Sequence, residues 1–428
     1  MKTIETISVI GLGYVGLPTA ALLANSGYAV VGVDIDERLV LALREGRCHS
    51  TEQDVKLLVE KGINSGRLIV SETPAECDAF IICVPTPVRP DNSADLSLVD
   101  AATRSVAPFV KRGDLIVLES TSPIGTIDYV VSPILREAGF DPVDDLDVCY
   151  CPERVFPGNS IKEMVENGRV VGGLTLRAGK RAAALYERFC KGKIIRTSTA
   201  SAEFVKLMEN TFRDVNIALA NVFARVAEEA GIDVAEAIRV ANGHPRVNVL
   251  RPGAGVGGHC IAVDPWFLIR GFPEVTQLLA AAREVNDSQP AHLLNRAEAT
   301  GLKQSGRVAI LGVAYRGNIN DSRGSPSERL VNELGMRGYK WTAHDPFVSR
   351  WELNGSNMPI QSDLPVALEG TDAAFIMTDH EQYRALKPEQ FFIMNGRLIV
   401  DGHRLLAETP FINAGFTLVR VGAPTLQP

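Results

Sequence analysis

The chain has 428 residues and a net charge of -7 at neutral pH. That length predicts two or three domains, and the acidic balance argues against a nucleic-acid binder, so an anionic substrate needs a local basic pocket. No apolar run reaches the about 18 residues of a membrane-spanning helix, and the seven cysteines are odd in number and scattered, which predicts reduced thiols in a cytoplasmic protein.

Residues 7–10 form a short apolar run. Gly11-Leu12-Gly13-Tyr14-Val15-Gly16 follows at once, then a helical pattern from Leu17 to Ser26, a stop at Gly27, and a second apolar run at 29–33 that leads into Asp34. Glycines at this spacing are weak on their own; strand, glycine turn, helix, strand and acid in order make a dinucleotide-binding fingerprint. Gly11 lets the chain turn, Gly13 lets a pyrophosphate approach the helix N-terminus, and Gly16 lets helix and strand pack closely. A carboxylate at Asp34 accepts from both ribose hydroxyls and repels a 2′-phosphate, so NAD is expected rather than NADP. Tyr14, Val15 and Arg38 complete the expected cofactor contacts on this side.

Alternation continues with apolar runs at 79–84, 115–119 and 147–150, and a further short one at 170–173. The first three end on Pro85-Thr86-Pro87, Ser120-Thr121-Ser122-Pro123 and Cys151-Pro152-Glu153-Arg154. Ligands of doubly wound sheets sit at strand carboxyl ends, so Thr86, Thr121 and Glu153 are expected around one crevice. The local alternatives are a Pro-flanked turn at Thr86, a helix cap at Thr121, and a Glu153–Arg154 or lysine ion pair. Cys149 and Cys151 have no second Cys/His cluster to complete a metal site and are read as packing.

Helical periodicity runs unbroken from Ser201 to Ala230 and stops at Gly231. Lys206, Asn210 and Arg213 share one face of this helix. Its other sides are mostly apolar, which predicts burial, and a buried polar stripe needs a partner such as an anionic ligand. The alternative is a pair of surface contacts, Glu203 with Lys206 and Glu209 with Arg213. His244-Pro245-Arg246-Val247-Asn248 and Arg251 then put positive charge before the loop Pro252-Gly253-Ala254-Gly255-Val256-Gly257-Gly258-His259. Four glycines in six residues suit close approach of a ligand to backbone. Cys260 follows as a candidate nucleophile, with Asp264 four residues on. Helices are expected over 277–286 and from Pro290 to Thr300, before a second α/β pattern that begins at 307–312. In that half Arg316 and Arg323 are candidates for a bidentate clamp on a diphosphate; the alternative is a pair of solvated loop arginines.

The segments GLGYVGLP, CVPTP, STSPIGT, CPER, AEFVKLMENTFRD and GVGGHCIAVDPWFL occur in order across essentially the whole chain. Together they resemble the UDP-sugar 6-dehydrogenase family, which includes UDP-glucose and GDP-mannose dehydrogenases. The resemblance implies an α/β fold of two Rossmann-like doubly wound domains joined by a helical central region with a long helix. The implied boundaries are 1–197 for an NAD-binding domain, 198–300 for a substrate and dimerisation domain, and 301–428 for a UDP-sugar-binding domain. It implies an enzyme that oxidises a C6 alcohol twice, with two NAD and one water, to a uronate, and a homodimer formed through the central helix. The glycine loop with HPRVN points to UDP-N-acetyl-D-mannosamine, ahead of UDP-N-acetylglucosamine or UDP-glucose.

By the same resemblance Cys260 holds the aldehyde and then the acyl group. Lys206, Asp264 and Asn210 handle protons and the oxyanion, Glu153 assists thioester hydrolysis, and Thr121 lies near the water and the cofactor. Arg154, Val155, Lys206, Asn210, Arg213, His244, Arg246, Gly257, Arg316 and Arg323 are the implied substrate contacts. The chain departs from the family at Arg316, where lysine is usual, at Gly324, where glutamate is usual, and at His403, where arginine is usual and Arg404 comes one place later. Those departures keep a second reading open, a non-catalytic nucleotide-sugar sensor.

Overall fold

The computed structural model describes residues 2–50, 52–155, 158–353 and 355–428. It divides into two compact units, residues 1–209 with 266–271, and residues 210–265 with 272–428.

The first unit is built on eight strands: β1 (Thr6–Ile10), β2 (Ala29–Val33), β3 (Leu68–Ser71), β4 (Ala79–Ile82), β5 (Leu115–Leu118), β6 (Asp147–Tyr150), β7 (Arg169–Gly173) and β8 (Ile194–Ser198). Their order is β3-β2-β1-β4-β5-β6-β7-β8. The first six are parallel, as doubly wound topology requires, and the order reverses direction between β1 and β4. β7 runs antiparallel to β6, and β8 parallel to β7. Central strands read as unbroken apolar runs because both faces are covered. Successive residues point to opposite faces: Val9, Ile81 and Val117 enter one core, and Ile10, Ile82 and Ile116 the other. β3 and β8 stand at the edges and were not expected from the sequence.

The long helix Thr199–Ala230 has 32 residues and stops where Gly231 takes φ +71°. Its expected burial on most sides is corrected here. Phe204, Met208, Phe212, Leu219, Phe223 and Val226 are all exposed, Phe212 to 65%.

The second unit carries helices Val234–Ala241, Gln277–Asp287 and Gln289–Ala299, with a five-stranded sheet. Its strands are β9 (Arg307–Leu311), β10 (Lys340–His344), β13 (Ala373–Ile376), β14 (Leu398–Asp401) and β15 (Thr417–Arg420); β11 (Trp351–Leu353) and β12 (Ser356–Met358) form a separate hairpin. The order β10-β9-β13-β14-β15 is parallel throughout, a second doubly wound layout with its reversal between β9 and β13. Among the described residues no helix is long and apolar enough to cross a membrane.

Candidate active site

In the first unit the three fingerprint glycines divide by cause. A Cβ on Gly11, which has φ +89°, would lie 2.8 Å from the Cys83 carbonyl oxygen, and one on Gly16 would lie 1.8 Å from the Gly11 oxygen. Those two positions are glycine because the protein packs against them. A Cβ on Gly13 would meet nothing within 4 Å, so the space beside it is open to a ligand. Asp34 accepts the Leu12 amide at 2.8 Å and the Asp36 amide at 3.0 Å, which fixes its carboxylate beside the glycine turn. An open cradle before a helix N-terminus, with a fixed acid at the end of β2, fits NAD. Arg38 is 93% exposed and turns to Asp36 at 3.3 Å. A cavity of about 70 Å³ continues from Gly13 and Tyr14 to His49, Ser50 and Glu52. Burial pushes the His49 imidazole below its ordinary value; nothing in the sequence pattern singled it out.

The tips of β4 and β5 are tied together. The Thr86 hydroxyl donates to the Thr121 carbonyl at 2.6 Å, and the Ser120 hydroxyl to the Val84 carbonyl at 2.6 Å. Glu153, just past β6, meets Arg169 at 2.6 Å rather than the Arg154 guanidinium, and its other oxygen accepts the Arg154 amide at 2.7 Å. The Arg154 side chain donates to Glu209 at 2.6 Å and to the Gly168 carbonyl. Val155 packs against the core of this sheet.

The helix-surface pairs give way to longer reaches. Glu203, fully buried, accepts the Gly125 amide at 2.6 Å and the Ile127 amide at 3.0 Å, so it holds the loop that begins at Thr121. Burial pushes its carboxyl up to about 7, against the pull of those amides. Glu209 goes to Arg154, and Lys206 is buried between them in sequence.

In the second unit the glycine loop is anchored by a buried polar chain. Arg283 meets Asp214 at 2.6 Å; Asn286 donates to Asp214 at 2.8 Å; Asn221 donates to Asn286 at 2.9 Å and accepts the Gly253 amide at 2.9 Å. Gln289 donates to the Gly253 carbonyl at 3.0 Å. Further along, a Cβ on Gly257 would lie 2.6 Å from the Gly324 oxygen, and one on Gly258 would lie 2.8 Å from the Tyr315 ring. Gly324, the departure from the family's glutamate, has φ +61°, and its carbonyl is what Gly257 approaches. His259 meets the Tyr315 ring edge-on at 6.2 Å, and burial pushes the Tyr315 phenol up to about 12.

Cys260 is exposed. Its carbonyl accepts the Val263 and Asp264 amides at 3.0 and 2.8 Å, which starts the helix Asp264–Gly271. Asp264, 3% exposed, accepts from the Asn210 amide at 2.6 Å. Arg213 is held below its ordinary value by burial and then by Arg316 nearby. Two guanidinium groups this close favour an anion between or beside them. Arg323, a candidate for the diphosphate clamp, turns its fork to Asp321 at 2.9 and 2.6 Å. A cavity of about 550 Å³ beside it is lined by Arg323, Arg350, Glu328 and Glu352, two charges of each sign, and so is no simple anion cradle. His403 lies against Gly253, 3.3 Å from where its Cβ would be. Arg404 instead meets Asp233, the cap of the Val234–Ala241 helix, at 2.6 Å. His244 and Arg246 are exposed and contact each other. Among the described residues no cluster of His, Cys, Asp or Glu could hold a metal ion.

Three family models match the chain in order. They are the NAD-binding domain of the UDP-glucose/GDP-mannose dehydrogenase family at residues 5–190, its central domain at 200–288, and its UDP-binding domain at 309–408. The chain is 42% identical over 425 residues to a protein named UDP-N-acetyl-D-mannosamine dehydrogenase from Methanocaldococcus jannaschii, covering 98% of this chain and 96% of that one. It is 40% identical to an NDP-N-acetyl-D-galactosaminuronic acid dehydrogenase from Ralstonia nicotianae, covering 93% and 95%. The solved structure of a UDP-D-ManNAc dehydrogenase from Pyrococcus horikoshii superposes with a TM-score of 0.90 at 38% identity, covering 97% and 99%. The chain belongs to the UDP-glucose/GDP-mannose dehydrogenase family, and is an NAD-dependent UDP-sugar dehydrogenase, an oxidoreductase.

Proposed function

We propose that the protein oxidises the C6 alcohol of UDP-N-acetyl-D-mannosamine to the uronate in two steps, through an acyl group held on Cys260. The observation that carries this reading is the Asn210–Asp264 contact at 2.6 Å, with the Asp264 amide on the Cys260 carbonyl at 2.8 Å. Asn210 is thereby joined to the buried acid that stands four residues after the exposed Cys260. The names of the relatives from Methanocaldococcus jannaschii and Pyrococcus horikoshii support the sugar. We read the chain as three functional parts, 1–197, 198–300 and 301–428, working in the cytoplasm, where its seven free cysteines stay reduced.

When bound, NAD would supply the hydride acceptor for each of the two oxidations at C6. Gly11, Gly13, Gly16, Asp34, Thr86 and Thr121 orient the dinucleotide. Asp264 and Lys206 take and return protons at the C6 oxygen. The Cys260 sulfur adds to the aldehyde carbon, so that the second oxidation leaves a thioester. Asn210 and Lys206 donate to the oxygen that gains charge in that addition, the kind of contact worth about 3–4 kcal/mol. Glu153 accepts a proton from the water that releases the acid. Arg213 and Arg316 attract the phosphates.

The exposed stripe Phe204, Met208, Phe212, Leu219, Phe223 and Val226 lies on one helix face, an arrangement that single chains seldom leave to water. We assign it to contact with a second copy of the chain.

The test is to supply purified protein with NAD and, separately, UDP-N-acetyl-D-mannosamine, UDP-N-acetylglucosamine and UDP-glucose, and to count NADH. Two NADH per molecule of the first sugar support the reading, and Cys260→Ser should abolish the yield while leaving sugar-nucleotide binding intact. Activity confined to UDP-glucose overturns the sugar. Binding of both ligands with no NADH makes the protein a sensor.

A further inference from the structure

Arg169 opens β7 with its side chain buried, 3% exposed, yet it is a full charge. It lies between two acids. One Nη donates to Glu153 at 2.6 Å, and the other lies 3.5 Å from Glu119. Its guanidinium rests 4.7 Å from the centre of the Tyr186 ring. Glu119 is fixed in turn: the Tyr186 hydroxyl donates to one of its oxygens at 2.6 Å, and the Thr19 hydroxyl and Cys83 thiol each donate to the other at 3.2 Å.

Burying such a group costs several kcal/mol, and a buried ion pair is often no more stable than apolar residues of the same volume. Stability alone therefore gives a weak reason for this arrangement. Its geometric effect is specific. Both oxygens of Glu153 are held, one by Arg169 and one by the Arg154 amide, which sets the orientation of the carboxylate. Glu119 balances the second share of the arginine's charge and stops the guanidinium from following Glu153 if that side chain moves.

We propose that Arg169 is a positioning residue for hydrolysis of the acyl-enzyme, fixing Glu153 as the proton acceptor; this rests on the Cys260 thioester reading. In the step it serves, the water oxygen bonds to the acyl carbon and one water proton passes to Glu153 and on to solvent. The C–S bond breaks with its electron pair on sulfur, and the second proton leaves as the new carboxylic acid ionises. Neither oxidation uses this water, so a loosened Glu153 should slow release and spare the two hydride transfers. That split separates a positioning role from a merely structural one.

The experiment uses the full-length enzyme with NAD and UDP-N-acetyl-D-mannosamine, comparing wild type, Arg169→Met and Arg169→Lys. For Arg169→Met we expect a burst approaching two NADH per chain at near-wild-type rate, then a steady state slowed roughly 30- to 100-fold. Intact-mass measurement should find the acyl group on Cys260, and hydroxylamine, which cleaves thioesters, should restore turnover. Arg169→Lys keeps the charge but loses the fork; it should give the same burst with a loss of about 10-fold, and it carries the test if the methionine variant does not fold. The proposal is overturned if burst and steady state slow together, no acyl adduct forms and hydroxylamine changes nothing. Wild-type turnover by Cys260→Ser would instead remove the thioester reading itself, whatever the Arg169 variants do.

Discussion

Asn210 and Asp264, 54 residues apart in sequence, meet at 2.6 Å, amide to carboxylate. The contact puts the Asn210 amide on one oxygen of the buried Asp264 carboxylate, four residues after Cys260. Asp264→Asn replaces the acceptor with an amide that cannot take a proton. It should lower kcat by about 100-fold or more, with the KM for NAD within about twofold of wild type. Asn210→Ala should lower kcat by a similar order, since it removes both a donor to the acid and a candidate oxyanion contact. Steady-state kinetics with both substrates varied checks each; a change confined to KM would remove both residues from the chemistry.

Two glycines of one turn should fail differently. Gly16→Ala puts a Cβ 1.8 Å from the Gly11 oxygen, so the turn must distort, and both thermal stability and NAD binding should fall. Gly13→Ala meets no protein atom within 4 Å. Its melting temperature should match wild type while the KM for NAD rises about 10-fold or more, because the new methyl enters the pyrophosphate's space. Calorimetry and NAD titration separate the two; an unchanged KM in Gly13→Ala would place the cofactor elsewhere.

Glu203 gives the protein a pH dependence with a definite sign. Folding raises its carboxyl from 4.5 to about 7. At acid pH, below the lower value, both states hold the proton and the group's contribution is complete. As pH rises the unfolded chain loses its proton first, so stability drains away until the folded carboxyl also ionises near 7. The whole effect is on the order of 3 kcal/mol. Glu328 is also pushed up to about 7, so the comparison must be with Glu203→Gln rather than with pH alone. The melting temperature of wild type minus that of the variant should fall between about pH 5 and pH 8. A constant difference would remove Glu203 from the titration.

Phe212, 65% exposed on the long helix, tests the assembly. Phe212→Glu places a charge in the middle of the stripe, and its cost of desolvation in an interface is several kcal/mol. Sedimentation should find wild type dimeric and the variant shifted to monomer at micromolar concentration. A wild-type monomer, or a variant that remains dimeric, would assign the stripe to something else.

The nucleotide-binding half was legible because its signals are local. The glycine turn, the helix stop at Gly27 and the apolar runs at β1, β2, β4, β5 and β6 are each complete within a few consecutive residues. β8 was not legible: Ile194–Ser198 is a half-exposed edge strand with three polar residues. Arg169 was hidden by topology. It stands one residue before an apolar run, and its acids are 50 and 16 residues away in sequence; only the antiparallel placement of β7 beside β6 brings them together. Glu203 and Glu209 had ideal spacing for neighbours on their own helix, yet both reach to loops: buried amides hold Glu203, and the half-buried Arg154 takes Glu209. The burial expected of the long helix failed for a related reason. Apolar composition reveals that a surface must be covered but does not say by which chain.

The peptide of Gly253 is gripped from both ends, its N–H by Asn221 and its carbonyl by Gln289. The root of the glycine loop is thus immobilised when the chain folds, and a sugar nucleotide arrives at a segment whose entropy has already been given up. Substitutions at Asn221 should accordingly weaken affinity without removing any atom that touches the ligand, by returning motion to the loop that the ligand must then arrest.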